Sequence, residues 1–173
     1  MLNLIYIAGY GRSGSTVLDR LLSAHPRVAG AGELFRSAEI FADPDAQCSC
    51  GIPFADCRVW SRHRADLIRL AGGAAGMPTL SRHLRTFERR GREKVDAVWR
   101  AATLSGLMAA REGKPGADWV IDSSKTARGA ARRPILLSGE VARLRMIWLT
   151  RDARSVLAAA GRGTNRGIEA GRR

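Results

Sequence analysis

Lysine is almost missing from this chain: only Lys94, Lys114 and Lys125 stand among its 29 basic residues, and the rest are arginine. Acidic residues are also few, 16 against those 29, which leaves a net charge of +13. A field of that sign attracts polyanions and small phosphorylated or sulfated ligands. Aromatic residues make up only 6% of the sequence and are not interleaved with the arginines. Such a surface gives nucleobases little to stack on, so nucleic acid is not the expected partner. A non-enzymatic basic nucleic-acid-binding protein is kept as an alternative. No apolar run approaches the ~20 residues that span a bilayer. No basic leader with a long apolar core precedes the first predicted strand, and a cytoplasmic chain is expected. With 173 residues, 45% of them hydrophobic, the chain can bury one real core but hardly two.

Cysteine is scarce too, and its three copies fall together at Cys48, Cys50 and Cys57. An odd count argues against the disulfide framework of a small secreted domain. Three thiolates and a fourth ligand such as His63 could hold zinc, but Cys-x-Cys is not the usual finger spacing. A structural loop without metal is the expectation.

What the chain does have is concentrated at its start. An apolar run over residues 4–8 leads into Gly9-Tyr10-Gly11-Arg12-Ser13-Gly14-Ser15-Thr16. A short buried strand, a glycine-rich turn and a helix opening at Thr16 are the parts of a phosphate cradle, where backbone N–H groups converge on an anion. The spacing Gly9-x4-Gly14-x-Thr16 fits the Walker A frame, except that Ser15 stands where a lysine belongs. The nearest strong cation is Arg12. Gly11, Arg12, Ser13, Gly14, Ser15 and Thr16 are therefore the candidate anion-binding residues, at a site unlike that of an ordinary ATPase. A P-loop nucleotide or small-molecule kinase remains an alternative, with Asp122 as a possible Mg²⁺ ligand.

Hydrophobic patterning predicts strands at 4–8, 28–32, 119–122 and 144–150. It predicts helices at 16–24, 60–70, 129–138 and 152–160, and a long helical region over 79–111 that Gly91 breaks or bends. In the first helix Val17, Leu18, Leu21 and Leu22 are read as one apolar side. Residues 41–56 read as loop, and the charge run over 88–94 as a solvated face. Alternating strands and helices imply an α/β fold with a parallel sheet flanked by helices, P-loop-like and three-layered. Polar clusters follow the strands at 9–16, 122–125 and 151–155, the edge where open α/β sheets bind ligands.

Arg12-Ser13-Gly14-Ser15-Thr16-x-Leu18, Ala24-His25-Pro26 and Gly32-Glu33 resemble the start of sulfotransferases that use 3′-phosphoadenosine 5′-phosphosulfate (PAPS). The likeness is to bacterial members and to tyrosyl-protein and carbohydrate sulfotransferases. It continues at Asp122-Ser123-Ser124-Lys125 and at Leu149-Thr150-Arg151-Asp152-Ala153-Arg154-Ser155-Val156, and so covers nearly the whole chain. The resemblance implies sulfuryl transfer from PAPS to a hydroxyl or amine of an unidentified acceptor, a small molecule, carbohydrate or peptide, with no metal required. It implies that Glu33 is the catalytic base, although a cap on the following helix is the simpler role for a carboxylate there. It implies that Arg12 holds the 5′-phosphosulfate and that Arg151 binds the 3′-phosphate. The serine that assists Arg151 in the family falls on Ala159 here; Ser155 is the substitute, and Lys125 faces the bridging oxygen or the acceptor. Family members usually continue well past this point. The expectation is therefore a domain over residues 1–161, shortened at its C-terminal side, with a basic tail over 162–173.

Overall fold

A computed structural model describes residues 2–90, 95–125 and 132–160. Four strands, β1 (Asn3–Gly9), β2 (Val28–Gly30), β3 (Trp119–Asp122) and β4 (Arg143–Leu149), pair in parallel in the order β2-β3-β1-β4. The helices are α1 (Ser15–Ser23), α2 (Ser37–Ile40), α3 (Ser61–Leu70), α4 (Met77–Arg90), α5 (Ala97–Glu112) and α6 (Arg133–Ser138). One more, α7, spans residues 153–160. The long predicted helical region is two helices. Gly91, the expected break, lies outside the described residues, as do residues 129–131 of the predicted helix before β4 and the whole tail. Among the described residues no helix is long and apolar enough to cross a membrane.

The three layers follow from the two faces of the sheet. Leu4, Tyr6 and Ala8 of β1 and Val120 of β3 join one core cluster with Leu84 and Phe87 of α4, Trp99 and Leu107 of α5, and Leu137 of α6. Ile7 and Ile121 are equally buried but lie outside that cluster, because successive side chains of a strand point to opposite faces. Gly30 is paired with Ile121, and a Cβ built on it would stand 2.4 Å from Ser23 Oγ and 2.6 Å from Asp19 Oδ1. Helix α1 therefore covers the second face. The chain leaves β1 towards β2 through α1, then leaves β3 towards β4 through α6. Right-handed crossovers in opposite directions put their helices on opposite faces and open a crevice at the carboxyl edge where the direction reverses.

Two local expectations are corrected. Helix α1 turns its polar stripe inward: Ser15 and Asp19 are buried, while Val17 and Leu21 face solvent. The hydroxyl groups of Ser23 and Ser123 donate to Asp19 at 3.1 and 2.7 Å, which gives the buried carboxylate its partners. Glu88 opens the charge run read as solvated, yet it is only 2% exposed. It falls one turn after Leu84 on the inward stripe of α4. There its Oε1 accepts from Arg133 Nη1 and, at 2.8 Å, from Trp99 Nε1. Among the described residues β4 is the edge strand. Its Met146 and Trp148 stand in register with Tyr6 and Ala8 on the core face, but remain 56% and 63% exposed.

Arg133 is buried completely between two carboxylates, Nε donating to Asp122 Oδ2 at 2.7 Å and Nη1 to Glu88. Burial works against its charge, but Asp122 and Glu88 more than offset this and raise its pKa. Removing one member of a buried ion pair strands the other charge, at about 3–5 kcal/mol. Arg133→Ala is expected to lower the unfolding free energy by about that amount in a urea titration. Arg62→Ala, which breaks the exposed pair with Glu112, should cost less than about 1 kcal/mol. Equal losses in the two variants would contradict this ranking.

Candidate active site

Between β1 and α1 the chain turns through Arg12 at φ 67° and Gly14 at φ 98°. Gly14 is the N-cap of α1 and offers no side-chain cap, and no acidic residue occupies the first turn. Among the described residues nothing accepts from the backbone N–H groups of Gly14, Ser15 or Thr16. They form an open donor set at the positive end of a helix dipole. Ser13 and Ser15 are buried beneath the loop, whereas the Arg12 side chain is exposed. Arg151, four residues before the serine at 155, donates from Nη1 to the Arg12 carbonyl at 3.1 Å. This contact brings the segment after β4 onto the cradle.

Glu33 and Lys125 meet at the same edge. The segment after β2 runs along the extension of β3: Ala31 N–H donates to Ile121 O at 2.8 Å and Ser123 N–H to Gly32 O at 2.9 Å. The Phe35 N–H then donates to Ser124 Oγ at 3.1 Å. Ser124 is in turn fixed by its own N–H and Oγ–H, both donating to Asp122 Oδ1. With the two segments zipped together, Lys125 Nζ donates to Glu33 Oε1. Glu33 does sit at the N-cap of the short turn Leu34–Arg36, but its side chain makes no cap hydrogen bond. Lys125 itself is left-handed, at φ 66°, and its carbonyl accepts from the buried Tyr6 hydroxyl. Burial, and then the Asp122 charge, raise the Tyr6 pKa far above its ordinary value, so the phenol stays a donor.

A cleft of about 580 Å³ opens between α1, the 30–41 segment and the cysteine loop. Thr16, Asp19 and Glu33 line one end; Phe41, Phe54 and Trp60 line the other. The rings of Phe41 and Phe54 are 4.3 Å apart. Burial raises the Asp19 pKa against the lowering effect of the Ser123 and Ser23 hydroxyl donors. Asp152 Oδ1 accepts from the N–H groups of Arg154 and Ser155 at 3.0 and 3.3 Å and so caps α7. Ser155 is half-buried and Ala159 lies one turn further on. The cradle, Glu33, Lys125 and Arg151 thus share one edge. Sequence reading missed Asp19, Tyr6 and Arg133. A lone aspartate in an apolar helix and a tyrosine in a buried strand were the signals available for the first two.

Asp122, the carboxylate that a kinase would offer to Mg²⁺, is fully buried, with Oδ2 taken by Arg133 and Oδ1 by Ser124. His63 is a core histidine: Nδ1 lies 3.1 Å from Ser105 Oγ and Nε2 3.2 Å from Ser37 Oγ.

An α/β fold with a parallel sheet, helices on both faces and a glycine-rich turn opening the first helix is P-loop-like. The model of the sulfotransferase family matches residues 5–166, and the chain belongs to that family. Sulfuryl transfer, in general terms, comes with the membership. No curated protein and no solved structure matches the chain significantly.

Burial pushes His63 down to about 4, below the ~6.5 of an unfolded imidazole. Between these values the unfolded chain binds a proton that the folded chain does not. The stabilisation is therefore complete above pH ~6.5 and is lost as pH falls towards 4, a change of about 3 kcal/mol. His63→Gln is expected to flatten the Tm–pH curve over that window. A variant curve parallel to that of the parent would contradict the assignment.

Proposed function

We propose that the chain transfers the sulfuryl group of PAPS to a hydroxyl or amine of an acceptor seated in the cleft beside Glu33. The observation that carries this reading is the meeting of the α1 cradle, the Glu33–Lys125 pair and Arg151 on one sheet edge. The N–H groups of Ser13, Gly14, Ser15 and Thr16 and the guanidinium of Arg12 would hold the 5′-phosphosulfate, with Gly11 letting the backbone approach it. Arg151 would bind the 3′-phosphate, assisted by Ser155 in place of the hydroxyl that Ala159 lacks. The nucleotide is a co-substrate and the acceptor the second partner.

The step needs a base, an in-line approach and stabilisation of the leaving oxygen. Glu33 has one carboxylate oxygen on Lys125, and its other oxygen would take the proton from the attacking acceptor. As the acceptor oxygen bonds to sulfur, the bond from sulfur to the bridging oxygen breaks. Lys125 and Arg12 would neutralise the charge left on 3′-phosphoadenosine 5′-phosphate. The aromatic end of the cleft suits an acceptor with an apolar or aromatic part next to its reacting group. The kinase alternative has less support, because Asp122 already spends both oxygens inside the protein. The odd number of cysteines suits a reducing compartment, the cytoplasm.

The purified chain is expected to bind 3′-phosphoadenosine 5′-phosphate in preference to ATP in a calorimetric titration without Mg²⁺. Arg12→Ala should abolish that binding. Arg151→Ala should weaken it by about 1.5–3 kcal/mol, the worth of a hydrogen bond to a charged group. Glu33→Gln should keep the affinity and lower transfer by about 10²–10⁴-fold. A preference for ATP would favour the kinase, and equal loss of binding in Glu33→Gln and Arg151→Ala would remove the assigned roles.

A further inference from the structure

A second cluster of reactive side chains lies on the wall of the cleft, apart from the transfer machinery. The cysteine loop closes on itself through Cys48 N–H to Ile52 O and Gly51 N–H to Cys48 O, both at 2.9 Å, and through a bridge between Gln47 and Pro53. Cys57 comes from the turn that leads into α3, where its carbonyl accepts from the Trp60 and Ser61 N–H groups at 3.1 and 2.9 Å. The fold brings all three sulfur atoms within 4.8 Å of one another, with Cys50 Sγ and Cys57 Sγ 3.8 Å apart. Two thiolates on one tetrahedral zinc-like ion, each bonded at about 2.3 Å, stand about 3.8 Å apart. A disulfide requires about 2.05 Å. The observed spacing is that of a coordination edge.

We propose that Cys48, Cys50 and Cys57 form a three-thiolate site for a soft divalent cation of the zinc class. Such ligands select zinc over magnesium or calcium. His63 is not the fourth ligand, since both of its ring nitrogens are engaged by serine hydroxyls. Among the described residues no other histidine or carboxylate joins the cluster. A solvent molecule therefore completes the tetrahedron, on the side where Cys50 is exposed. Three thiolates and a divalent ion carry one net negative charge, an acceptable load in a chain of net charge +13. Cys48 lines the cleft beside Phe54 and Trp60. The ion would thus tie this loop to α3 and fix the shape of the acceptor end of the cleft.

The test uses the full chain, reduced, stripped with a chelator and titrated with Co²⁺ and then Zn²⁺. One equivalent of cobalt is expected to give thiolate-to-metal charge-transfer absorption and the intense visible bands of a tetrahedral site, which zinc then bleaches. Cys50→Ser changes an exposed side chain and leaves the fold intact. It should weaken cobalt binding by more than about 100-fold, beyond what loss of an outer-shell contact costs. His63→Gln should leave the spectrum unchanged. Three results would overturn the site: a folded, reduced chain that gives no charge-transfer band, a spectrum lost in His63→Gln but kept in Cys50→Ser, or a Cys50–Cys57 disulfide that persists under reduction and blocks cobalt uptake.

Discussion

The rest of the structure hangs on the burial of one cation. Arg133 is only 2% exposed and binds a carboxylate from each of two elements, Asp122 at the end of β3 and Glu88 on α4. Its guanidinium also lies 5.8 Å from the Trp99 ring centre, so α5 joins the same knot. An arrangement of this kind does little for net stability compared with an apolar core, because desolvation consumes most of the attraction. What it does is fix positions. Asp122 cannot swing towards the crevice while Arg133 holds Oδ2, and its other oxygen then sets Ser124. Ser124 receives the Phe35 N–H, two residues beyond Glu33. The candidate base is located, in the end, by a charge network on the far side of the strand.

That dependence explains what could and could not be read from the sequence. The strands, their order along the chain and the three polar clusters that follow them were legible, because each is a local pattern of period and punctuation. The strand, turn and helix at the start of the chain were legible for the same reason: glycine spacing, Arg12 and the helix that begins after them are contiguous. Glu88 was not, because its environment comes from Arg133 and Trp99, residues remote in sequence. Helix α1 misled for a related reason. Its leucines and valine suggest an apolar inner face, but Gly30 and Ser123 create a place where a serine and aspartate stripe packs more closely. The meeting of three sulfur atoms also depends on how the loop folds against α3, which Cys-x-Cys spacing alone does not specify.

Charge is distributed unevenly around the crevice. Arg12, Lys125 and Arg151 supply three cations at the carboxyl edge, and Glu33 is the acid paired among them. For a donor bearing phosphate and sulfate groups this is the right sign of field, and steering by it weakens with salt. The cleft wall next to it is different in kind. Asp19 is buried with a raised pKa, and the aromatic cluster of Phe41, Phe54 and Trp60 continues away from the cations. One end of the crevice thus favours anions and the other favours apolar surface. Glu33 stands at the boundary, where a base would have to be if donor and acceptor approach from opposite ends.

Among the described residues, two that are not glycine adopt left-handed backbone, Arg12 and Lys125, and both belong to the candidate site. Each such conformation costs of order 1–2 kcal/mol and persists only where its surroundings over-determine it. The surroundings do so in the same way at both. The Arg12 carbonyl is held by the Arg151 guanidinium, and the Lys125 carbonyl by the Tyr6 hydroxyl. In each case a side chain remote in sequence holds the carbonyl oxygen of the left-handed residue. A glycine would reach these angles without strain, but it would bring no cation. The chain instead keeps an arginine and a lysine at the two turns and holds each in place from behind, so their charged ends are presented on a backbone with little freedom to rearrange. Arg151 does both jobs at once: it buttresses the cradle through Arg12 and brings its own charge to the same edge. Loss of Arg151 would therefore loosen the turn at Arg12 as well as remove a cation from this edge.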